Sequence, residues 1–213
     1  MLPIGDDNNP RRTFAWVNYA LILVNFLVFL AELSLGDDFV STFSFIPSLF
    51  HADPAGYFIT IITSTFLHAG WLHLMGNMLF LWIFGDNVED RLGHIGYLGF
   101  YLVCGVAATL AQYAASANAE ILVLGASGSI AGVMGAYIVL FPGNRVRVLV
   151  SFFPVLVPAW IAIGVWILIQ AFSGLASFGG DAAAGGVAYL AHIGGFFTGA
   201  FLGLLASQRR DEI

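Results

Sequence analysis

The stretch GASGSIAGVMGAYIVLF, residues 125–141, decides the fold. It is almost wholly apolar, and Gly128, Gly132 and Gly135 would let a second backbone approach one face of a helix. A helix over 127–141 would be only about 22 Å long, shorter than the roughly 30 Å of hydrocarbon in a bilayer. The stretch therefore predicts a short membrane helix whose first residue lies below the membrane surface.

The rest of the chain has the composition of a membrane protein. Of its 213 residues 59% are hydrophobic and only 9% are charged, about a third of the charge of an ordinary soluble domain. Six apolar runs are candidate spanning helices: 14–33, 72–88, 94–115, 127–141, 147–172 and 186–206. These runs predict an all-α, polytopic bundle of six transmembrane helices, forming one domain over residues 1–213 with short tails.

The distribution of charge predicts an orientation. The chain has seven arginines and no lysine, and they lie in the two tails and in the loops after the second and fourth runs. Every charged residue in the opposite loops is acidic. We therefore expect a protein of the cytoplasmic membrane, and the positive-inside rule places both of its termini in the cytoplasm. A net charge of −6 with no basic surface excludes nucleic acid as a partner. The single cysteine, Cys104, cannot form an internal disulfide.

Two connections stand out on the external side. The connection 34–71 is rich in aromatic residues and is expected to lie as a loop in the membrane interface. The Gly-rich segment 173–186 is expected to be a flexible hinge before the sixth helix.

Four polar residues lie in the first turns of runs that enter from the external side: His73, Asn77, Ser127 and His192. Polar groups in spanning helices are costly and mark functional sites. A neutral imidazole can activate a serine hydroxyl, so Ser127 and His192 form a candidate nucleophile and general base. The N–H groups at the start of the fourth helix, with side-chain donors from His73 and Asn77, could bind an oxyanion. No acidic residue lies at this depth, which favours a Ser-His dyad over a triad.

Each of these residues also has a purely structural interpretation. A serine between glycines commonly packs helices together, and His or Asn commonly bonds between helices. Ser129 lies about 200° around the helix from Ser127 and is interpreted as structural. The loop histidines His51 and His94 are interpreted as solvated, and His68 as bonding to the loop backbone. Glycines 195, 199 and 203 place a close-packing face beside His192 on the sixth helix.

Three motifs together resemble those of the rhomboid intramembrane serine proteases. They are His73-Leu-Met-Gly-Asn77, Gly125-Ala-Ser-Gly128 and Ala191-His-Ile-Gly-Gly195, and with the six runs they extend the resemblance over nearly the whole chain. The resemblance implies a nucleophile at Ser127, a general base at His192, and an oxyanion site formed by His73, Asn77 and the Ser127 N–H. It also implies that Gly125 shapes a loop that dips into the membrane.

The family further implies a serine endopeptidase that hydrolyses peptide bonds in or near transmembrane segments of membrane proteins. Small residues would be favoured at the cut, the site would open to the external side, and the fifth helix and the segment before the sixth would gate access from lipid. Membrane lipids are the other expected partners, and no metal or cofactor is expected. The sequence does not predict the oligomeric state.

The chain departs from the family pattern in two places. A Trp-Arg pair that many members carry in the first loop is replaced by Ile59-Thr60. Many members also have an aromatic residue four positions after the serine, stacked on the histidine, whereas this chain has Ala131. Another group must therefore hold the imidazole of His192.

Two hypotheses compete with proteolysis. The departures are compatible with a catalytically inactive, rhomboid-like adaptor that binds client transmembrane helices. A metal site formed by His68, His73 and His192 is a weaker alternative, because no carboxylate or thiolate joins the three imidazoles.

Overall fold

Helices form most of the computed structural model, which describes residues 2–6, 12–177 and 188–208. The six long helices are α1 (Trp16–Leu35), α6 (Trp71–Leu92), α7 (His94–Ser116), α8 (Ser127–Leu140), α9 (Ala159–Ser177) and α10 (Tyr189–Gln208). Short helices α2 (Asp37–Phe43), α3 (Pro47–Ala52), α4 (Pro54–Tyr57) and α5 (Thr60–Thr63) and a 3-10 turn, Ser64–Phe66, link α1 to α6. The strands are β1 (Leu2–Asp6), β2 (Arg145–Val150) and β3 (Phe153–Pro158).

The helices identify a membrane protein, although not all six reach spanning length. Within the described residues, α1, α7 and α10 are long and apolar enough to cross a bilayer. The segment Pro54–Phe66 and α6 pass the same test together, with a bend of 78° between them, and would make a fourth span. Helix α8 has 14 residues, close to the short helix that the sequence predicts.

Helix α8 lies at the centre of the core. Every residue from Gly128 to Tyr137 is buried, and the glycine faces predicted from the sequence meet α10 directly. A Cβ atom at Gly195 would overlap the carbonyl oxygen of Gly128, and one at Gly199 would overlap that of Gly132. The two backbones are therefore in contact, and no larger residue fits between them without displacing a helix.

A buried carboxylate ties α1 to α6. Glu89 of α6 is fully buried and accepts hydrogen bonds from the backbone N–H groups of Val17 and Asn18, at 3.1 and 2.6 Å. These donors lie in the first turn of α1, where helical N–H groups have no partner within the helix. The Asn18 side chain extends the link, because its Oδ1 accepts from the hydroxyl of Tyr97 in α7 at 2.8 Å.

The segment before α9 is where the sequence-based prediction fails. A helix was expected over 147–172, but residues 145–158 form a hairpin of β2 and β3, and β1 pairs antiparallel with β2. The fold is therefore not all-α. Valines at 146, 148, 150, 155 and 157 favour extended backbone. Pro154 and Pro158 disfavour helix at the residues before them, so α9 begins only at Ala159.

The connection between α1 and α6 is ordered by backbone hydrogen bonds to the segment before α8. It consists of short helices rather than the expected loop, and Phe45 exchanges two backbone hydrogen bonds with Val123, of 3.1 and 2.8 Å. Ser64 accepts a third, of 2.9 Å, from the N–H of Gly125. These bonds fasten the segment that leads into α8. Of the expected hinge 173–186, the first residues continue α9, and the rest lie outside the described residues.

Candidate active site

Ser127 and His192 are brought together at the start of two helices. Ser127 is the first residue of α8, and His192 lies in the first turn of α10. The Oγ atom of Ser127 is 2.7 Å from Nε2 of His192. The glycine packing explains this contact. Gly195 lies one turn after His192 and packs directly against the backbone of Gly128, the residue after Ser127.

The other side of the His192 ring faces α9. Its Nδ1 atom is 2.7 Å from Oε1 of Gln170, and the ring of Trp166 lies 5.6 Å away at an interplanar angle of 39°. Sequence reasoning missed both residues. Gln170 is a polar residue in an apolar run, the same signal that identifies His73 and Asn77, but the usual partner of a catalytic histidine is an acidic residue.

His73 lies beside Gly125, in the segment that leads into α8, and has a defined tautomer. Its Nδ1 accepts a hydrogen bond from the backbone N–H of Ala69 at 3.3 Å, so Nε2 carries the proton and is a donor. Gly125 packs against this ring: a Cβ atom there would lie 2.9 Å from Nε2 of His73. The φ angle of Gly125 is +120°, a conformation that side chains disfavour. Glycine at 125 thus keeps His73 close to the start of α8.

Asn77 lies one turn after His73 on α6. Its side chain is 8% exposed, and its amide nitrogen has no hydrogen-bond partner within the described part of the chain. A buried donor without a partner costs free energy. The N-terminus of α8 supplies further donors, because the N-cap residue Ala126 makes no side-chain hydrogen bond to the first turn.

All four residues line one cavity of about 580 Å³. Its wall also includes Trp166, Ile169 and Tyr189, and it is mainly apolar. Such a cavity has the size of a ligand or substrate site. His73, Asn77, Ser127 and His192 therefore border a common space, at the start of α8, that can hold a reacting group.

Other predicted residues have structural roles. The hydroxyl of Ser129 donates to the carbonyl oxygen of Tyr101 at 2.8 Å, which confirms its structural interpretation. His51 is exposed, as interpreted, and contacts the hydroxyl of Tyr113 at 2.9 Å, whereas His94 is only partly exposed and its Nδ1 contacts the Glu89 carboxylate. His68 is buried, and its backbone N–H donates to the Glu32 carboxylate.

The two departures from the family motifs lie in different surroundings. Ala131 is completely buried in α8, so the aromatic neighbour of His192 comes from Trp166 of α9 instead. Ile59 and Thr60 lie at the junction of α4 and α5, where the Thr60 hydroxyl donates to the carbonyl oxygen of Tyr57 at 2.7 Å. The metal alternative lacks a ligand set: in residues 2–6, 12–177 and 188–208, no three His, Cys, Asp or Glu side chains are grouped as metal ligands.

Comparison with known proteins identifies the family of this chain. The model of the Rhomboid domain matches residues 55–209, which contain the whole site. The chain belongs to the rhomboid family. This rhomboid protein is 32% identical over 158 residues to Rhomboid protein 1, mitochondrial, of Saccharomyces cerevisiae. The match covers 72% of this chain and 43% of the yeast protein.

Other rhomboid relatives differ in what their names state. Rhomboid-like protein 11, chloroplastic, of Arabidopsis thaliana is 33% identical over 60% of this chain and 42% of its own length. Rhomboid protease GluP of Bacillus subtilis is 31% identical over 64% of this chain and 26% of its own length. The chain thus spans less than half the length of these relatives, and one of them is named a protease.

Proposed function

We propose that this rhomboid protein is an intramembrane serine endopeptidase with a Ser127–His192 dyad. The observation that carries the proposal is the 2.7 Å contact between Ser127 Oγ and His192 Nε2 at the N-terminus of α8. Acyl transfer needs a nucleophile that is hydrogen-bonded to a base, with N–H donors beside them that can bind the oxyanion. The relative named a rhomboid protease supports the same class of reaction.

The first half of the reaction acylates the serine. Ser127 Oγ attacks the carbonyl carbon of the scissile peptide while its proton passes to Nε2 of His192. The carbonyl oxygen becomes an oxyanion, which accepts hydrogen bonds from the Ser127 N–H, His73 Nε2–H and the Asn77 amide. The intermediate then collapses: the C–N bond breaks, and the proton on Nε2 passes to the leaving amine.

The second half releases the acid. Water enters in place of the amine and gives a proton to Nε2 as its oxygen attacks the acyl carbon. The same donors stabilise the second oxyanion, the ester C–O bond breaks, and the proton returns from Nε2 to Ser127 Oγ. Serine and histidine are regenerated, and the balance is one water consumed for each peptide bond hydrolysed.

The position of the dyad suggests the substrate class. Ser127 begins a helix of 14 residues, about 21 Å at 1.5 Å per residue, which is shorter than the roughly 30 Å hydrocarbon layer. The serine would therefore meet a peptide below the membrane surface, as in a transmembrane protein. With both termini in the cytoplasm, as the arginine distribution predicts, the cavity opens to the external side of a cytoplasmic membrane.

A fluorophosphonate probe tests the nucleophile directly. Purified full-length protein in detergent should be labelled, and labelling should disappear in Ser127→Ala and in His192→Ala. Ser129→Ala is the matched control, because that serine lies in the same turn but bonds to Tyr101 instead of His192. Cleavage of a single-span fusion protein with small residues at the outer end of its helix should follow the same pattern.

The adaptor hypothesis predicts the opposite result. An adaptor would bind client helices equally well with and without Ser127, and it would release no product. A folded wild-type protein that neither reacts with the probe nor cleaves the fusion protein would overturn the protease proposal and favour the adaptor.

A further inference from the structure

The imidazole of His192 is held on two sides by hydrogen bonds of equal length. Nε2 contacts Ser127 Oγ and Nδ1 contacts Gln170 Oε1, both at 2.7 Å. Gln170 is 9% exposed and lies in α9 among apolar neighbours, Ile167 to Ile169 before it and Ala171 after it. A buried polar side chain in such a helix is costly unless it has a partner. His192 is that partner.

The chemistry of the two atoms fixes the proton. A carbonyl oxygen only accepts hydrogen bonds, so Nδ1 must carry the hydrogen in this contact. In the neutral ring Nε2 then keeps its lone pair and faces the Ser127 hydroxyl, which is the form a general base requires. In the other tautomer Nε2–H would point at the serine, and the ring could not take its proton.

We propose that Gln170 is the positioning residue that sets the tautomer and the orientation of His192. The proposal rests on the protease function above, in which His192 is the base. Gln170 takes the place that a carboxylate has in a Ser-His-Asp triad, but it is neutral. It therefore orients the ring without burying a charge in the membrane, where an unpaired carboxylate is strongly disfavoured.

The same face of α9 supplies a second contact. Trp166 lies four residues before Gln170, so both side chains project from one face of the helix. Its ring packs on the imidazole at 5.6 Å. Gln170 and Trp166, which contact the imidazole of His192, thus both belong to α9, and a shift of α9 away from α10 would break both contacts. The orientation of His192 as a base therefore depends on the position of α9.

Two substitutions separate positioning from packing. Gln170→Leu has a similar size and removes the acceptor, whereas Gln170→Glu keeps an oxygen acceptor at the same distance along the side chain. If Gln170 positions His192, the Leu variant loses activity and the Glu variant keeps more of it. If Gln170 only fills space, the order reverses, because leucine packs in an apolar helix at lower cost than a carboxyl group.

The measurement is the rate of fluorophosphonate labelling of the full chain, resolved into the maximal rate and the probe concentration at half-saturation. For Gln170→Leu we expect a maximal rate about 10- to 100-fold lower, a share of the 10²–10⁴-fold that general base catalysis contributes, with half-saturation unchanged within about twofold. Phe172→Leu is the control, since Phe172 lies on the same helix and is 70% exposed. Its labelling should equal that of wild type.

The outcomes separate the two proposals. Wild type that is labelled, Ser127→Ala that is not, and Gln170→Leu that reacts at the wild-type rate would overturn the role of Gln170 and leave the protease standing. A lower maximal rate in Gln170→Glu than in Gln170→Leu would overturn it too. If the Leu variant does not fold, folded Gln170→Glu decides: labelling within about tenfold of wild type supports positioning, and labelling as low as in Ser127→Ala contradicts it. Wild type without labelling or cleavage overturns both.

Discussion

The Nε2 atom of His192 lies 2.7 Å from the Oγ atom of Ser127, although 65 positions separate the two residues in the chain. Neither side chain extends far from its backbone, so this distance requires α8 and α10 to touch. Glycines at 128, 132, 195 and 199 provide that contact along one line of closest approach. The small residues therefore act on the chemistry through the separation of the two helices.

The first prediction concerns this separation. Gly195→Ala places a methyl group against the carbonyl oxygen of Gly128 and must push α10 away from α8. We expect a loss of about 1–3 kcal/mol of stability from overpacking and a large loss of fluorophosphonate labelling, because the Ser127–His192 contact lengthens. Thermal unfolding in detergent and labelling of the remaining folded protein measure the two effects.

The matched control is Gly99→Ala in α7. Gly99 is also a helical glycine, but a Cβ atom there meets nothing within 4 Å. Its substitution should leave labelling unchanged and should not lower stability, since alanine is the better helix former. Equal labelling of Gly195→Ala and Gly99→Ala would contradict the view that the glycine contact sets the dyad distance.

The sequence was sufficient for the part of the site that follows a helical period. Ser127 and His192 each lie beside a row of glycines spaced by three or four residues, so the packing faces could be predicted and the structure places them in contact. The positions of His73 and Asn77 follow from the same periodicity on α6. Length and composition also indicate six apolar runs, but within the described residues three helices, or four with the bent pair, are long and apolar enough to cross a bilayer.

Other features depend on information that periodicity lacks. The hairpin 145–158 is as apolar as a span, and only its valines and prolines distinguish it from the helix that follows. Gln170 is visible in the sequence, but its contact with His192 depends on how α9 packs, which no residue pattern records. The short helices between α1 and α6 are too brief to show a period of 3.6 residues.

The second prediction concerns Gly125. Alanine at this position meets two costs, the strain of a φ angle of +120° and a contact with the His73 ring at 2.7 Å from Cε1. The strain alone amounts to about 1–3 kcal/mol. The contact in addition moves His73 away from the cavity, so labelling of Gly125→Ala should fall as well as its unfolding temperature.

Gly36→Ala separates these two costs. Gly36 also has a positive φ angle, +75°, but a Cβ atom there has open space around it. We expect this variant to be less stable than wild type and to keep its labelling rate once the folded fraction is accounted for. If labelling of both variants falls only as much as their folded fraction falls, the contact of Gly125 with His73 has no role in the reaction of Ser127.

The third prediction concerns the buried carboxylate of Glu89. Glu89→Leu removes the acceptor of the Val17 and Asn18 N–H groups and leaves both without a partner at the start of α1. An unsatisfied buried donor costs about 1–3 kcal/mol, so the unfolding temperature should drop clearly. Glu89→Gln keeps one acceptor oxygen and should fall between Glu89→Leu and wild type. Glu89 does not line the cavity, and the labelling rate of the folded fraction should be unaffected in both variants.

The fourth prediction separates function from stability at Asn77. The amide nitrogen of Asn77 is buried with no hydrogen-bond partner in the described residues, so its removal takes away an unsatisfied donor. Asn77→Ala should therefore be nearly as stable as wild type, with the lost packing offset in part by the lost desolvation cost. If the amide binds the oxyanion, the same substitution lowers the rate of acylation by about 10²–10³-fold.

The comparison with Leu81→Ala makes this test specific. Leu81 lies on the same helix, is completely buried and does not line the cavity. Its truncation should cost about 2–5 kcal/mol in unfolding with little change in the labelling rate of folded protein. Asn77→Ala should thus lower the labelling rate and leave stability nearly unchanged, whereas Leu81→Ala should lower stability and leave the labelling rate nearly unchanged. A stability loss in Asn77→Ala as large as in Leu81→Ala, with labelling preserved, would show that Asn77 packs α6 and does not bind the oxyanion.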